Sequence, residues 1–165
     1  MKRILLSLVV FALSAAAFAA EATWLTDFKK AQETAKKESK PIFMVFSGST
    51  WCPPCKALIK QLFSTKEFIE YANKNLVLIE VDFPDNEAME EWMKYKRLPK
   101  SANMSGAQLI HNEALAQKYK IEGFPTIVLL DKNSKELGRS GYGEFREAGS
   151  PAKYLKELDK LFGKK

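Results

Sequence analysis

The redox-capable residues of this 165-residue chain are Cys52 and Cys55, set in the run Trp51-Cys52-Pro53-Pro54-Cys55-Lys56 with no third cysteine anywhere. A disulfide stabilises a fold mostly by closing a long loop in the unfolded chain, and a loop this short contributes little in that way. The pair is better suited to opening and closing than to stapling. A metal site fits poorly: one Cys-x-x-Cys supplies two ligands, His111 is the lone further soft partner, and structural zinc takes four. No metal and no other cofactor is expected. An inert disulfide stays open as the alternative.

The compartment bears on that choice. Met1-Lys2-Arg3 is a short cationic start, an apolar run follows from Ile4 to Phe18 with Ser7 and Ser14 as its polar breaks, and Ala17-Phe18-Ala19 offers small residues for cleavage. That order is the pattern of a secretory signal peptide over residues 1–19, leaving a domain over 20–165. The run is shorter than the ~20 residues of a spanning helix, and no later run is longer. The mature chain is thus expected to be periplasmic or secreted, with no membrane span after cleavage. In such a compartment thiols default to the disulfide.

Composition narrows the class. At 46% apolar and 12% aromatic, the chain can fill one real core and is no candidate for disorder. Two cysteines cannot make a disulfide-scaffold protein. The net charge of +6 comes from 26 basic and 20 acidic side chains without strong clustering, which argues against a nucleic-acid partner. Lys29-Lys30 and Lys36-Lys37 read as a solvated helix face. A monomer is expected.

Elements must position the cysteines. Trp24 to Ser39 reads as a helix with Thr26 or Asp27 as N-cap, ended by Pro41. Ile42 to Phe46 is a continuous apolar run, the mark of a strand buried on both faces. After the loop Ser47-Gly48-Ser49-Thr50, Cys55, Leu58, Ile59 and Leu62 recur at helical spacing, so the cysteines open a helix. Ser64 with Glu67 suggests a capping box for a helix to Asn73. Leu76 to Val81 is the second buried strand. Glu113 to Tyr119 is helical, Thr126 to Leu130 a strand, and Glu136 to Ser140 its antiparallel partner. Ser150-Pro151 starts a last helix, with Tyr154, Leu155, Leu158, Leu161 and Phe162 on its buried face and Gly163 as its stop. Strands alternating with helices give an α/β fold with one mixed sheet.

In that setting the cysteine run resembles the active site of the thioredoxin family. A second signature lies further on, Tyr119-Lys120-Ile121-Glu122-Gly123-Phe124-Pro125-Thr126, leading directly into a strand. The similarity runs from about Trp24 to Phe162. It is similar to exported members of the thiol–disulfide interchange type. The resemblance implies a thioredoxin fold, a mixed central sheet flanked by helices, with an insertion after the second strand of the mature chain. It also implies a cis bond before Pro125, with that loop beside the cysteines. Cys52 at the helix N-terminus is then the nucleophile, since the helix dipole and free N–H groups favour a thiolate. Cys55, one turn inside, is the shielded resolving thiol. Pro53 and Pro54 supply no N–H, which reduces the donors available to Cys52. Trp51, Phe124 and Pro125 are expected to form the rim that binds substrate.

This sequence departs from the family pattern in two respects. Typical thioredoxins carry a buried acid six residues ahead of the first cysteine, and here that position is Phe46. No lysine stands on the next strand; Glu80 is the stand-in to consider. His111 is expected on a surface loop. The segment from Pro84 to Asn112 is the least family-like, with Met89, Trp92 and Met93 sharing one helical face. It reads either as an insertion folded onto the body or as a wall that selects the partner. The expected function is an exported thiol–disulfide oxidoreductase acting on protein substrates with cysteine pairs, together with an unidentified redox partner. The rival is a redox-inert binding module on the same fold.

Overall fold

The computed structural model describes residues 21–84 and 105–163. Residues 1–19, expected to be a signal peptide, and the helical face expected of Met89, Trp92 and Met93 lie outside the described residues.

The sheet is built around β2 (Ile42–Ser47) and β3 (Val77–Asp82), which run parallel with Phe43 opposite Leu78 and Ser47 opposite Asp82. On the other side β2 pairs antiparallel with β4 (Thr126–Leu130), and β4 with β5 (Glu136–Gly141). A two-residue strand, β1 (Trp24–Leu25), adds to β3 in parallel, giving the order β1-β3-β2-β4-β5 among the described residues. The sheet is mixed and flanked by helices, as expected.

Strand periodicity divides the core into two layers. Ile42, Met44 and Phe46 join Ile79, Val81 and Val128 on one face, packed by Phe28, Ala31 and Ala35 of α1 (Phe28–Glu38) and by Leu109, Leu115 and Ala116 of α4 (Gly106–Lys118). Phe43 and Val45 join Leu78, Ile127 and Leu129 on the other. That face is covered by α2 (Pro53–Leu58), α3 (Lys66–Asn75) and α6 (Pro151–Leu161), through Leu58, Phe68, Ala72, Tyr154 and Leu158.

Several expectations are corrected. The first helix begins at Phe28, capped by Asp27, whose side chain accepts from Lys30 N. Trp24 and Leu25 are strand because they pair with Leu78 and Ile79, and Trp24 stacks on Phe68 at 6.3 Å. The residues from Pro84 onward therefore follow the third strand rather than the second. The helix expected from Glu113 starts at Gly106, with Ser105 as its cap. His111 consequently sits on a helix, not a loop, and its Nε2 accepts from Phe28 N at 3.3 Å. Thr65, not Ser64, caps α3, Leu161 is largely exposed, and a short helix, α5 (Tyr142–Ala148), intervenes before α6.

Candidate functional site

The chain leaves β2 at Ser47, turns through Gly48–Trp51 and enters α2 with Cys52 as its extended N-cap, at φ −82° and ψ 110°. Cys52 N donates to Gly48 O at 2.9 Å and Cys52 O accepts from Lys56 N at 3.1 Å. Pro53 and Pro54 occupy the first helical positions, where a fixed φ is favourable and a missing N–H costs little. The first backbone donor of the helix is thereby Cys55 N–H. Beyond Leu58 the helix widens into a π turn, Ile59–Phe63, a form that recurs at functional sites.

Cys52 and Cys55 are joined as a disulfide with their Cα atoms 5.3 Å apart. Cys52, the expected nucleophile, is only 3% exposed, hardly more than Cys55 at 1%. The cover comes from the opposing loop. Phe124 O lies 3.7 Å from Cys52 Sγ, and the Phe124–Pro125 bond is cis. The Trp51 ring meets Phe124 edge-on at 6.0 Å, and Phe124 stacks on Phe83 at 5.4 Å. Trp51 Nε1 donates to Phe83 O at 2.7 Å. Trp51, Cys52, Cys55, Phe124 and Pro125 are therefore brought together, while His111 stands apart on α4.

The loop is pinned by the end of β3. Asp82 Oδ1 accepts from Ser49 N at 2.8 Å and from Ser47 Oγ at 2.9 Å, and its Oδ2 accepts from Ser49 Oγ at 2.6 Å. Phe83 N donates to Ser47 O at 2.8 Å, and Thr50 Oγ1 donates to Pro84 O. These anchors were not anticipated. The signal was present, since Glu80 and Asp82 alternate within an otherwise apolar strand and must share one face.

Behind the disulfide lies a cavity of about 480 Å³, walled by Cys55, Pro125, Ser47, Glu80, Trp24 and Ile59 among others. Glu80 is half-buried there. Burial, then the neighbouring Asp82 charge, pushes its carboxyl above the usual range, with the Ser47 hydroxyl opposing. Phe46, by contrast, packs with α1 and α4 on the far face of the sheet. An acid at that position would point away from Cys55; among the β2 and β3 residues that wall the cavity with Cys55, Ser47 and Glu80 are the polar ones. Among the described residues no group of three or more His, Cys, Asp or Glu is placed to hold a metal ion.

The chain matches the family model of the thioredoxin-like domain over residues 28–158. It is 31% identical to "Disulfide bond reductase DsbH" of Chlamydia pneumoniae over 140 residues, covering 85% of this chain and 72% of that protein. It is 30% identical to "Thioredoxin-related protein DsbJ" of the same organism over 72% of this chain, and spans only 30% of that protein's length. Among solved structures, one titled "DsbH Oxidoreductase" superposes with a TM-score of 0.70 at 28% identity over 94% of both chains. A thioredoxin from Thermus thermophilus superposes at 0.56 with 19% identity, over 86% of this chain and 87% of that one, a likeness of fold alone.

Proposed function

Since this chain belongs to the thioredoxin-like domain family, we propose that it is a thiol–disulfide oxidoreductase whose Cys52–Cys55 pair exchanges with cysteine pairs of protein substrates. The observation that carries the reading is the closed Cys52–Cys55 disulfide at a helix start, faced by the Phe124–Pro125 loop. A thiolate partner attacks Cys52 Sγ, the sulfur nearer the rim, and Cys55 leaves; the reverse sequence closes the ring and releases the partner. Trp51, Phe124 and Pro125 form the surface on which the partner chain lies. The name of the Chlamydia relative, a disulfide bond reductase, supports the reductive direction. The cationic start, apolar run and small-residue cut of residues 1–19 support export of the domain over 20–165. Among the described residues no helix is long and apolar enough to cross a membrane.

The test is equilibration of the Cys52–Cys55 pair against graded glutathione mixtures, followed by alkylation and mass measurement. A reversible two-electron transition is the expected result. A disulfide that persists through excess dithiol would make the protein a redox-inert binding module instead.

A further inference from the structure

Strand pairing gathers one set of connections at the end of the sheet away from Cys52. Ile42 opens β2 opposite Val77, the start of β3, and opposite Leu130, the last residue of β4. Glu136, the first residue of β5, pairs with Leu130 in turn. The end of α1, which leads into β2, the end of α3, which leads into β3, and the turn from Asp131 to Lys135 therefore share that end. Cys52 follows Ser47 at the other.

Lysines scattered along the sequence meet there. Lys36 and Lys37 stand in the last turn of α1, Lys74 in the last turn of α3, and Lys132 and Lys135 in the turn between β4 and β5. All five are exposed, and among the described residues none of them is in an ion pair. The pieces are tied together, since Gln32 Nε2 donates to Ser134 Oγ at 2.8 Å and Lys40 Nζ to Asn73 O at 3.0 Å. The neighbouring acids are mostly engaged. Lys40 holds Glu38 at 2.8 Å, Arg139 holds Glu136 at 2.8 Å, and Asp131 accepts from the N–H groups of Asn133 and Lys135 in its own turn. Glu33, one turn earlier on α1, is an exposed acid without an ion pair among the described residues.

Apolar side chains stand beside these cations. Leu137 and Leu161 are 38% and 43% exposed. Leu137 follows Glu136 at the start of β5, and Leu161 ends α6 beside Gly138, where a Cβ would stand 3.5 Å from Leu161 Cδ2. Cations mixed with exposed leucines suit an anionic lipid surface, where electrostatic attraction adds to apolar burial. An acidic protein segment would follow one groove or one edge. These lysines come from helices on opposite faces of the sheet, α1 on one and α3 on the other, which suits a broad plane of negative charge.

We propose that this end of the domain docks on the surface of an anionic bilayer, with the Cys52–Cys55 pair at the far end and directed away from the lipid. The contact is peripheral, and it leaves clear the rim of Trp51, Phe124 and Pro125, because β4 begins at Thr126 opposite Phe46, on the Cys52 end.

The experiment is sedimentation of the full chain with vesicles of phosphatidylcholine alone and of phosphatidylcholine mixed with phosphatidylglycerol. Partition into the anionic vesicles should be at least about 10-fold stronger, and high salt should remove most of the difference by screening. Exchanging Lys36, Lys37, Lys74, Lys132 and Lys135 together for Gln should abolish the preference. Exchanging Lys29, Lys30, Lys66, Lys153 and Lys156 for Gln removes the same charge elsewhere and should keep most of it. The pair Lys36→Glu and Lys132→Glu serves if the first variant fails to fold. Residues 1–19 are the same in every chain, so differences between variants belong to the folded domain. Dithiothreitol should open the disulfide of bound and free protein at equal rates, and a pair shielded in the bound state would overturn the orientation. Equal losses in the two five-lysine variants would reduce the attraction to net charge and overturn the docking end. Retention on immobilised polyglutamate without any vesicle preference would give the surface to an acidic protein and overturn the bilayer.

Discussion

Gly48 and Trp51 are fitted so closely that a Cβ on Gly48 would lie 2.5 Å from Trp51 Cε2. The indole cannot simply withdraw, because its Nε1 is held by Phe83 O at 2.7 Å and its edge meets Phe124. Gly48→Ala should therefore break the indole hydrogen bond and lower stability by about 1–3 kcal/mol, as overpacking does. Denaturant unfolding measures the loss, and the indole N–H resonance reports the bond. An unchanged resonance with unchanged stability would show that the ring does not need the space.

Pro125 depends on a second glycine. A Cβ on Gly141 would stand 2.9 Å from Pro125 O, a backbone atom that cannot rotate aside, whereas one on Gly143 would meet nothing within 4 Å. Gly141 is in extended backbone at φ −173°, so the requirement is for space and not for an unusual dihedral. Gly141→Ala should displace the loop that faces Cys52 and slow exchange with a protein disulfide roughly 10- to 100-fold, the scale of an ångström of misplacement. Gly143→Ala is the matched control and should exchange at the parent rate. Equal rates for both variants would separate the loop from the chemistry.

Cys52 and Cys55 should be told apart by trapping. If Cys52 forms the mixed disulfide and Cys55 resolves it, Cys55→Ser accumulates an adduct with substrate and Cys52→Ser does not. Alkylation of the reduced protein near neutral pH should also label Cys52 first, since a thiolate at a helix start is the reactive form. The 3% exposure of Cys52 describes the closed disulfide, which alkylating agents do not label, so the measurement reads the opened pair. Faster labelling of Cys55 would reverse the roles.

Much of this site is legible from local signals. Cys-Pro-Pro-Cys after an apolar strand, and Gly-Phe-Pro-Thr before another, mark both halves of it without tertiary information. What escapes is what depends on pairing. Trp24 and Leu25 are too short a run to read as a strand, and become one only against Leu78 and Ile79. The start of α4 at Gly106 is similarly hidden, because its buried side is set by Leu109 and Asn112 packing below β3, the latter donating to Asp82 O at 2.8 Å. The same limit explains Phe46. Counting six residues back from Cys52 finds the expected place of an acid, but strand parity turns that place toward α1 and leaves Ser47 and Glu80 facing Cys55. Register across β2 and β3, rather than distance along the chain, decides which acid shares the cavity with Cys55.

Glu80 should also leave a mark on stability, with a sign opposite to that of most carboxylates. Its carboxyl is pushed above the ordinary value of 4.5, first by burial and then by Asp82. The folded state therefore holds the proton more tightly than the unfolded chain. Where the unfolded state binds fewer protons than the folded one, stability falls as pH rises. The loss begins near the unfolded value and ends once pH passes the raised folded value. Glu80→Gln removes the titration and keeps a neutral side chain of nearly the same shape in the cavity. The variant should accordingly be more stable than the parent at neutral pH, and the advantage should shrink as pH falls to about 4 and below, where the parent carries a neutral Glu80 in both states. Urea unfolding of the two proteins across that range gives the difference directly. A parent that outlasts the Gln variant at neutral pH would mean that the ionised carboxylate is stabilised in place by partners stronger than the Ser47 hydroxyl.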